Sequence, residues 1–329
     1  MNNGEILFLY DATLSNPNGD PDDENRPRMD YDHRHNLVSD VRVKRYVRDY
    51  LADQGYEIYV AKSEHGEALT ATQRLQNLLG GRKPSSADVP KILESLVDVR
   101  LFGATMPIKG DKGEKGGKRD KGDESGEKVK EKGESIQVTG PVQFTWGQSL
   151  NKVDLVSSYT ISSRFKSEEG KTQGTFGKDY RVFYSLVGFA GVISGRRAHY
   201  AQLTERDLSL LDAAMVRAIP LQATRSKVGQ YPRLYLRIMY RDPDTVIGDW
   251  RNTVRLRETE GLRGIHEAHL EVDDLLARLE AQHEKIERVI LWQDPLLRLV
   301  SKRGEGLLKD LASETVRKLM ESASAALEA

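Results

Sequence analysis

With 329 residues the chain is long enough to form one large domain or two ordinary ones around a sizeable core. Apolar residues make up 38% and charged residues 30%, and 50 Lys plus Arg balance 50 Asp plus Glu, which reads as a globular protein with a heavily charged surface and argues against a uniformly basic nucleic-acid binder. No cysteine is present, so disulfides, thiolate zinc sites and thiol redox catalysis are excluded.

The N-terminal Met-Asn-Asn-Gly-Glu lacks the basic and apolar regions of a signal peptide, and a cytoplasmic location is expected. Residues 5–13, Glu-Ile-Leu-Phe-Leu-Tyr-Asp-Ala-Thr, form an apolar run suited to a buried strand opening a domain. Asn16-Pro17-Asn18-Gly19-Asp20-Pro21-Asp22-Asp23 is too rich in turn formers for regular structure and reads as a loop. Ser39 is the predicted N-cap of a helix in which Val43, Tyr46, Val47, Tyr50 and Leu51 recur at helical spacing, ending before Gly55. Residues 56–61 alternate like a strand, and residues 70–79 and 87–97 read as helices.

Residues 109–135 are Lys, Arg, Asp, Glu, Gly and Ser with one Val. Such a stretch cannot bury enough apolar area to offset the entropy of ordering it, and it is expected to be a disordered insert in a folded domain. Residues 136–149 and 153–161 are strand-like, and residues 183–193 form an apolar run too short and too interrupted by Gly to span a bilayer, which takes about 20 helical residues. Between them residues 164–180, polar and Gly-rich, suit an exposed hairpin. Thr204 with Asp207 makes an acidic relative of a capping box, opening an amphipathic helix to about Ala218. Residues 234–240 read as a strand, and residues 272–290 and 306–322 as helices. The succession of strand, helix and strand with long insertions fits an α+β domain.

Charge is unevenly distributed: acids concentrate in residues 20–32, in the low-complexity tract and in the C-terminal third, so a neutral chain can still carry a positive groove or present opposite charges to a second copy. One basic cluster is Arg26, Arg28, Arg42, Lys44, Arg45 and Arg48, spanning the early loop and the following helix, where side chains and helix N-terminal amides both suit phosphates. A second joins Arg164-Phe165-Lys166 to Thr175-Phe176-Gly177-Lys178 at the two ends of the Gly-rich excursion, the pairing of cations and rings with which single-stranded nucleic acid is held. Equally, the rings suit anchoring the hairpin to its own sheet. A third is Thr224-Arg225-Ser226-Lys227-Val228-Gly229-Gln230, able to cradle phosphates but lacking the nucleotide-loop pattern. The alternating Asn16, Asn18, Asp20 and Asp22 do not make a calcium loop, because Pro21 stands where Gly is needed and Pro27 where a closing Glu belongs. Asp11, Asp20, Asp22 and Asp32 leave open a metal-dependent ribonuclease, although no His or Glu stands at metal-ligand spacing. His33 and His35 lack a serine or carboxylate constellation for hydrolysis.

Several of these stretches together resemble one family. Asn16-Pro17-Asn18-Gly19-Asp20-Pro21-Asp22 with Asn25, Arg26-Pro27-Arg28 and Asp30, then Leu37-Val38-Ser39-Asp40-Val41-Arg42-Val43-Lys44-Arg45, are similar to the early loop and helix of Csh/Csd-type backbone subunits of type I CRISPR Cascade complexes, in the RAMP superfamily. Arg100-Leu101-Phe102-Gly103-Ala104, Thr139-Gly140-Pro141-Val142-Gln143-Phe144 and Gly174-Thr175-Phe176-Gly177-Lys178-Asp179-Tyr180 extend the resemblance. It implies a modified RNA-recognition-motif (ferredoxin-like) palm over residues 1–245 with inserted finger and thumb elements, a thumb hairpin at 157–183, and a largely helical C-terminal region over 246–329 packed on the palm. It further implies a non-catalytic, cofactor-free, I-B-like subunit, of antiviral defence or of guided transposition, whose copies stack along the guide RNA (crRNA), each thumb displacing a base. The implied partners are crRNA, target DNA through the guide, further copies of the chain and other Cascade subunits, with no membrane. The RNA-binding set expected on these grounds is Asn18, Arg26, Arg28, Ser39, Arg42, Lys44, Arg45, Arg164, Phe165, Thr175, Phe176, Gly177, Lys178, Arg225, Ser226 and Lys227. The insert at 109–135 and the chain beyond about 245 fall outside the resemblance.

Overall fold

A computed structural model of the chain describes residues 1–61, 70–108, 134–157, 160–163 and 175–323. The apolar run near the N-terminus is the strand Gly4–Ser15, central to a nine-stranded sheet. Successive side chains leave a strand on opposite faces, so Ile6, Phe8 and Tyr10 enter one core while Leu7 and Leu9 enter another, all with no solvent exposure. The run is continuously apolar because both faces are covered. Gln230–Tyr240 pairs antiparallel on one side and Val182–Ile193 on the other, and beyond Val182–Ile193 lie the short strands Val142–Phe144 and Gly147–Ser149.

Helices Asp40–Asp53 and Glu205–Leu221 cover one face. Val43, Tyr46, Val47 and Leu51 of the first pack with Leu208, Leu211, Met215 and Ile219 of the second over Phe8, Phe189 and Tyr235. Thr204 and Asp207 form the expected capping box, and the helix runs past Ala218 to Leu221. Within this layer Arg237 of the sheet makes two bonds to Asp212, at 2.7 and 2.6 Å, and Tyr235 donates to the same carboxylate at 2.6 Å. The opposite face is covered by the C-terminal region, through Trp250, Leu270, Val272, Leu275, Leu279 and Leu299. Its strap over residues 247–250 is held by the buried Glu5, which accepts from Gly248 N (2.8 Å), Ile247 N (3.2 Å), Trp250 Nε1 (3.0 Å) and the Tyr240 hydroxyl. The fold is thus a mixed α+β arrangement, and no helix among the described residues is long and apolar enough to cross a membrane.

Several expected elements are corrected. The helix expected over 272–290 stops at Ala281, and Ile286–Gln293 is a strand that pairs antiparallel with Gln230–Tyr240, with Met320–Ser322 parallel beside it. Residues 246–323 are therefore not largely helical. Ile286, Val289, Ile290 and Leu291 fit a sheet edge that the isolated sequence does not reveal. Residues 56–61 form no strand, because Tyr59 N and Val60 N donate to the Asp98 carboxylate (2.8 and 3.2 Å) instead of to another strand. The helix expected at 87–97 is broken at the extended Leu96 into Val89–Ser95 and Val97–Phe102.

Gly103–Ile108 pairs antiparallel with Glu134–Thr139, with Ile108 opposite Glu134. Residues 134 and 135, expected within the insert, thus belong to a hairpin, while residues 109–133 lie outside the described residues. The chain leaves and re-enters the fold at one place. Replacing residues 110–132 with a short Gly-Ser linker is therefore expected to leave the melting temperature unchanged, since closing a surface loop depends weakly on its length; a collapsed melting temperature in a thermal scan would show a structural role.

A candidate nucleic-acid interface

Where the central strand ends, its backbone is taken over by the loop preceding Gln230–Tyr240. Thr13 N donates to Gly229 O and Asn16 N to Ser226 O, both at 2.8 Å. Gly229 has φ +94°, and a Cβ there would stand 2.5 Å from Thr13 O, so this crossing requires glycine. Lys227 Nζ donates to Asn16 O at 2.5 Å and Pro17 O at 3.1 Å, and Gln230 links Asn16 O to the Tyr46 hydroxyl. The loop is also fastened to the first helix: Asn18 Oδ1 accepts from Ser39 N (2.9 Å) and Ser39 Oγ (2.8 Å). Ser39 occupies the N-cap position, yet its hydroxyl is turned to Asn18 and makes no cap bond to the helix.

Arg42, one turn into this helix, lies over the Tyr46 ring with its guanidinium carbon 4.0 Å from the centroid. Neither Arg42 nor Lys227 has a carboxylate partner among the described residues. Burial pulls the Lys227 ammonium down to about 7, and the charge of Arg42 adds to the effect. The loop's acidic half closes on the hairpin base: Lys178 Nζ bonds both Glu24 carboxylate oxygens (2.6 and 2.7 Å), Tyr180 donates to Glu24 at 2.7 Å, and Arg26 lies 4.7 Å over the Tyr180 ring. The Lys178 bond, then that of Tyr180, holds the Glu24 carboxyl below its ordinary range. Arg181 reaches Leu14 O and Arg225 O, and its partner Asp179 stands 3.9 Å from Arg225.

Three clusters far apart in sequence are thereby brought together: Asn18, Arg26 and Arg28; Ser39 and Arg42; and Arg225, Ser226 and Lys227, with Lys178 at the edge. Arg28 pairs with Asp20 at 3.1 Å and lies 5.8 Å over Trp146, and Ser226 contributes its carbonyl. Three basic residues of the helix do not join them. Lys44 is 8% exposed and bonds Asp40 (3.0 Å) and Gln143 (2.7 Å), Arg45 bonds Asp49 and Val60 O, and Arg48 bonds Asp98 at 2.9 Å. Thr175, Phe176 and Gly177 lie in a strand paired with Thr160–Ser163. Arg164 and Phe165 lie outside the described residues. Asn16, Tyr46, Tyr180 and Arg181 complete the arrangement although the expected RNA-binding set omits them; Asn16 and Tyr180 stand within the motif blocks quoted above, and Tyr46 follows Arg42 by four residues on one helix face.

The stretches at residues 100–104 and 139–144, on either side of the insert, form one structural unit. Gly103 has φ +78°, and a Cβ there would stand 2.3 Å from Gly140 N, so the two backbones touch. Arg100 makes two bonds to Asp207 (2.9 and 2.7 Å), and Gln143 donates to Phe102 O and Gly140 O while accepting from Lys44. Two of the four early aspartates are engaged in ion pairs: Asp20 with Arg28, and Asp11, with no solvent exposure, with Arg233 at 2.9 Å. No three His, Asp or Glu side chains among the described residues are grouped to hold a metal.

Burial pushes the Asp11 carboxyl up to about 6, with Arg233 opposing it. A carboxyl raised above its unfolded value favours the fold at low pH, and that contribution is lost as pH rises through about 6. The stability of Asp11→Asn relative to the parent is expected to rise by about 3 kcal/mol between acid and neutral pH, measured by urea unfolding across pH; a constant difference would refute this.

The chain is 35% identical over 329 residues, 96% of its length and 91% of the other's, to the CRISPR-associated protein Cas7 of Haloferax volcanii. Among solved structures it is similar to a chain of a CRISPR RNA-guided surveillance complex, with TM-score 0.46, 16% identity and coverage of 88% and 87% of the two chains. It is likewise similar to a chain of a CRISPR RNA-guided surveillance complex, pre-nicking, with TM-score 0.49, 13% identity and coverage of 99% and 98%. The family model for CRISPR-associated protein Cas7 matches residues 2–273. On the extent of that match and the identity to the Haloferax protein, the chain belongs to the Cas7 family.

Proposed function

We propose that this chain is a non-catalytic backbone subunit that binds the guide RNA of a type I, I-B-like surveillance complex and presents it for pairing with target DNA. The observation that carries this reading is the convergence of Arg42, Arg225 and Lys227 beside the N-terminus of the Asp40–Asp53 helix, with no carboxylate against Arg42 or Lys227 among the described residues. Cations, amides and a helix N-terminus at one place suit a phosphate backbone, whatever its bases. Asn18 and Ser39 organise the loop beside them, while Arg26, Arg28 and Lys178 form its rim. Strand Gly4–Ser15, helix Asp40–Asp53, strands Val142–Ser149 and Val182–Ile193, helix Glu205–Leu221 and strand Gln230–Tyr240 supply the order of a modified RNA-recognition palm. The paired strands Gly103–Ile108 and Glu134–Thr139, and the paired strands Thr160–Ser163 and Thr175–Lys178, are then parts of its finger-like and thumb-like insertions.

Holding RNA by its backbone is what a variable guide requires. Arg42→Ala is expected to weaken all RNA sequences alike and to reduce the slope of log affinity against log salt by about 0.7. Lys44→Ala should instead lower the melting temperature, because Asp40 and Gln143 lose a buried partner, and leave that slope close to its parent value. Filter binding of several RNAs across a salt series, with a thermal scan of each variant, measures both effects. Preference for one sequence, or an Arg42 variant with an unaltered slope, would remove the RNA from this surface.

In this reading copies associate head to tail along the RNA, a contact with no closed symmetry to limit it. Copy number is then expected to grow with guide length in mass photometry, whereas a fixed dimer at every length would refute the filament.

A further inference from the structure

Resting on the RNA-binding reading, one side chain of the interface has a property beyond charge. The Lys227 amine is held by two acceptors, the carbonyls of Asn16 and Pro17. A neutral amine carries two N–H groups, which these carbonyls satisfy; an ammonium carries a third, and no described atom accepts it. The carboxylates around the site are paired with other cations. From the helix come Arg42 and Tyr46, whose hydroxyl bonds Gln230. Its Asp40 bonds Lys44. From the lysine's own loop comes Arg225, and from the hairpin base come Arg181 and Asp179, whose carboxylate lies against both arginines. The loop leaving the first strand faces Lys227 with carbonyls.

We propose that Lys227 is a proton-coupled phosphate grip, which takes up one proton as an RNA phosphate arrives to accept its third N–H. Burial and the Arg42 charge act in the same direction, holding the free amine's pKa near 7, and a phosphate alongside reverses the balance. A lysine fully charged throughout would bind RNA with no proton uptake. Here affinity instead falls as pH rises above neutrality, because each binding event must then bring a proton from solution.

The test is calorimetric titration of a mixed-sequence single-stranded RNA into the full chain, in buffers of differing ionisation enthalpy, between about pH 6.5 and 8.5. The expected result is uptake approaching one proton at the alkaline end and an affinity loss of up to roughly tenfold per pH unit. Lys227→Arg, which keeps its charge, should bind RNA with that uptake abolished. Lys227→Gln should bind more weakly at neutral pH and also lack it. RNA binding by the parent chain without uptake, or uptake unchanged in Lys227→Arg, would overturn the proposal while leaving the RNA reading intact. No RNA binding at any pH would overturn both. Where Lys227→Gln fails to fold, the parent chain and Lys227→Arg together separate these outcomes.

Discussion

Burial of the strand Gly4–Ser15 on both faces is the constraint from which the rest of the arrangement follows. Helices fill the side of Phe8 and Tyr10, and the C-terminal region fills the side of Leu7 and Leu9. An RNA-recognition sheet commonly stacks bases on aromatic side chains of an open face. Here both faces are occupied, and Phe8, Tyr10, Phe189 and Tyr235 are core residues beneath the helices. The interface proposed above accordingly lies not on a sheet face but where the strand stops, in the loops at its end. The turn-rich Asn16–Asp23 segment lies there, its backbone bonded to the crossing at Ser226–Gly229.

A chain with as many acids as bases can still make a cationic site, and the structure indicates how. Much of the basic surface is neutralised locally: Lys44 by Asp40, Arg45 by Asp49, Arg48 by Asp98, Arg100 by Asp207, Arg237 by Asp212. Several of these pairs are buried, where leaving either partner alone costs several kcal/mol, so those side chains are committed to the fold. Arg42 and Lys227 are not so committed. Position relative to acids, and not the density of Lys and Arg along the sequence, separates the two groups. Residues 100–104 and 139–144 are committed to the fold in the same way, their glycines in contact and Arg100 and Gln143 joined to neighbouring elements.

Periodicity, turn chemistry and capping by themselves determined the elements that are locally encoded. The first strand, the Asp40–Asp53 helix ending before Gly55, the capping box at Thr204 and the strand at 234–240 were all legible, because each is dictated by residues within one or two turns of one another. The recurrence of whole motifs likewise carried the family. What the tertiary structure decided is what depends on distant partners. Ile286–Gln293 is a strand because Gln230–Tyr240 offers it an edge, residues 56–61 are not a strand because Asp98 takes their amides, and Lys44 is buried because Gln143 and Asp40 receive it. Arg42 and Lys227, 185 positions apart in the chain, become neighbours only when the central strand ends against the loop that follows the second helix. A one-dimensional pattern specifies which residues can carry charge; only packing specifies which of those charges are left without a partner.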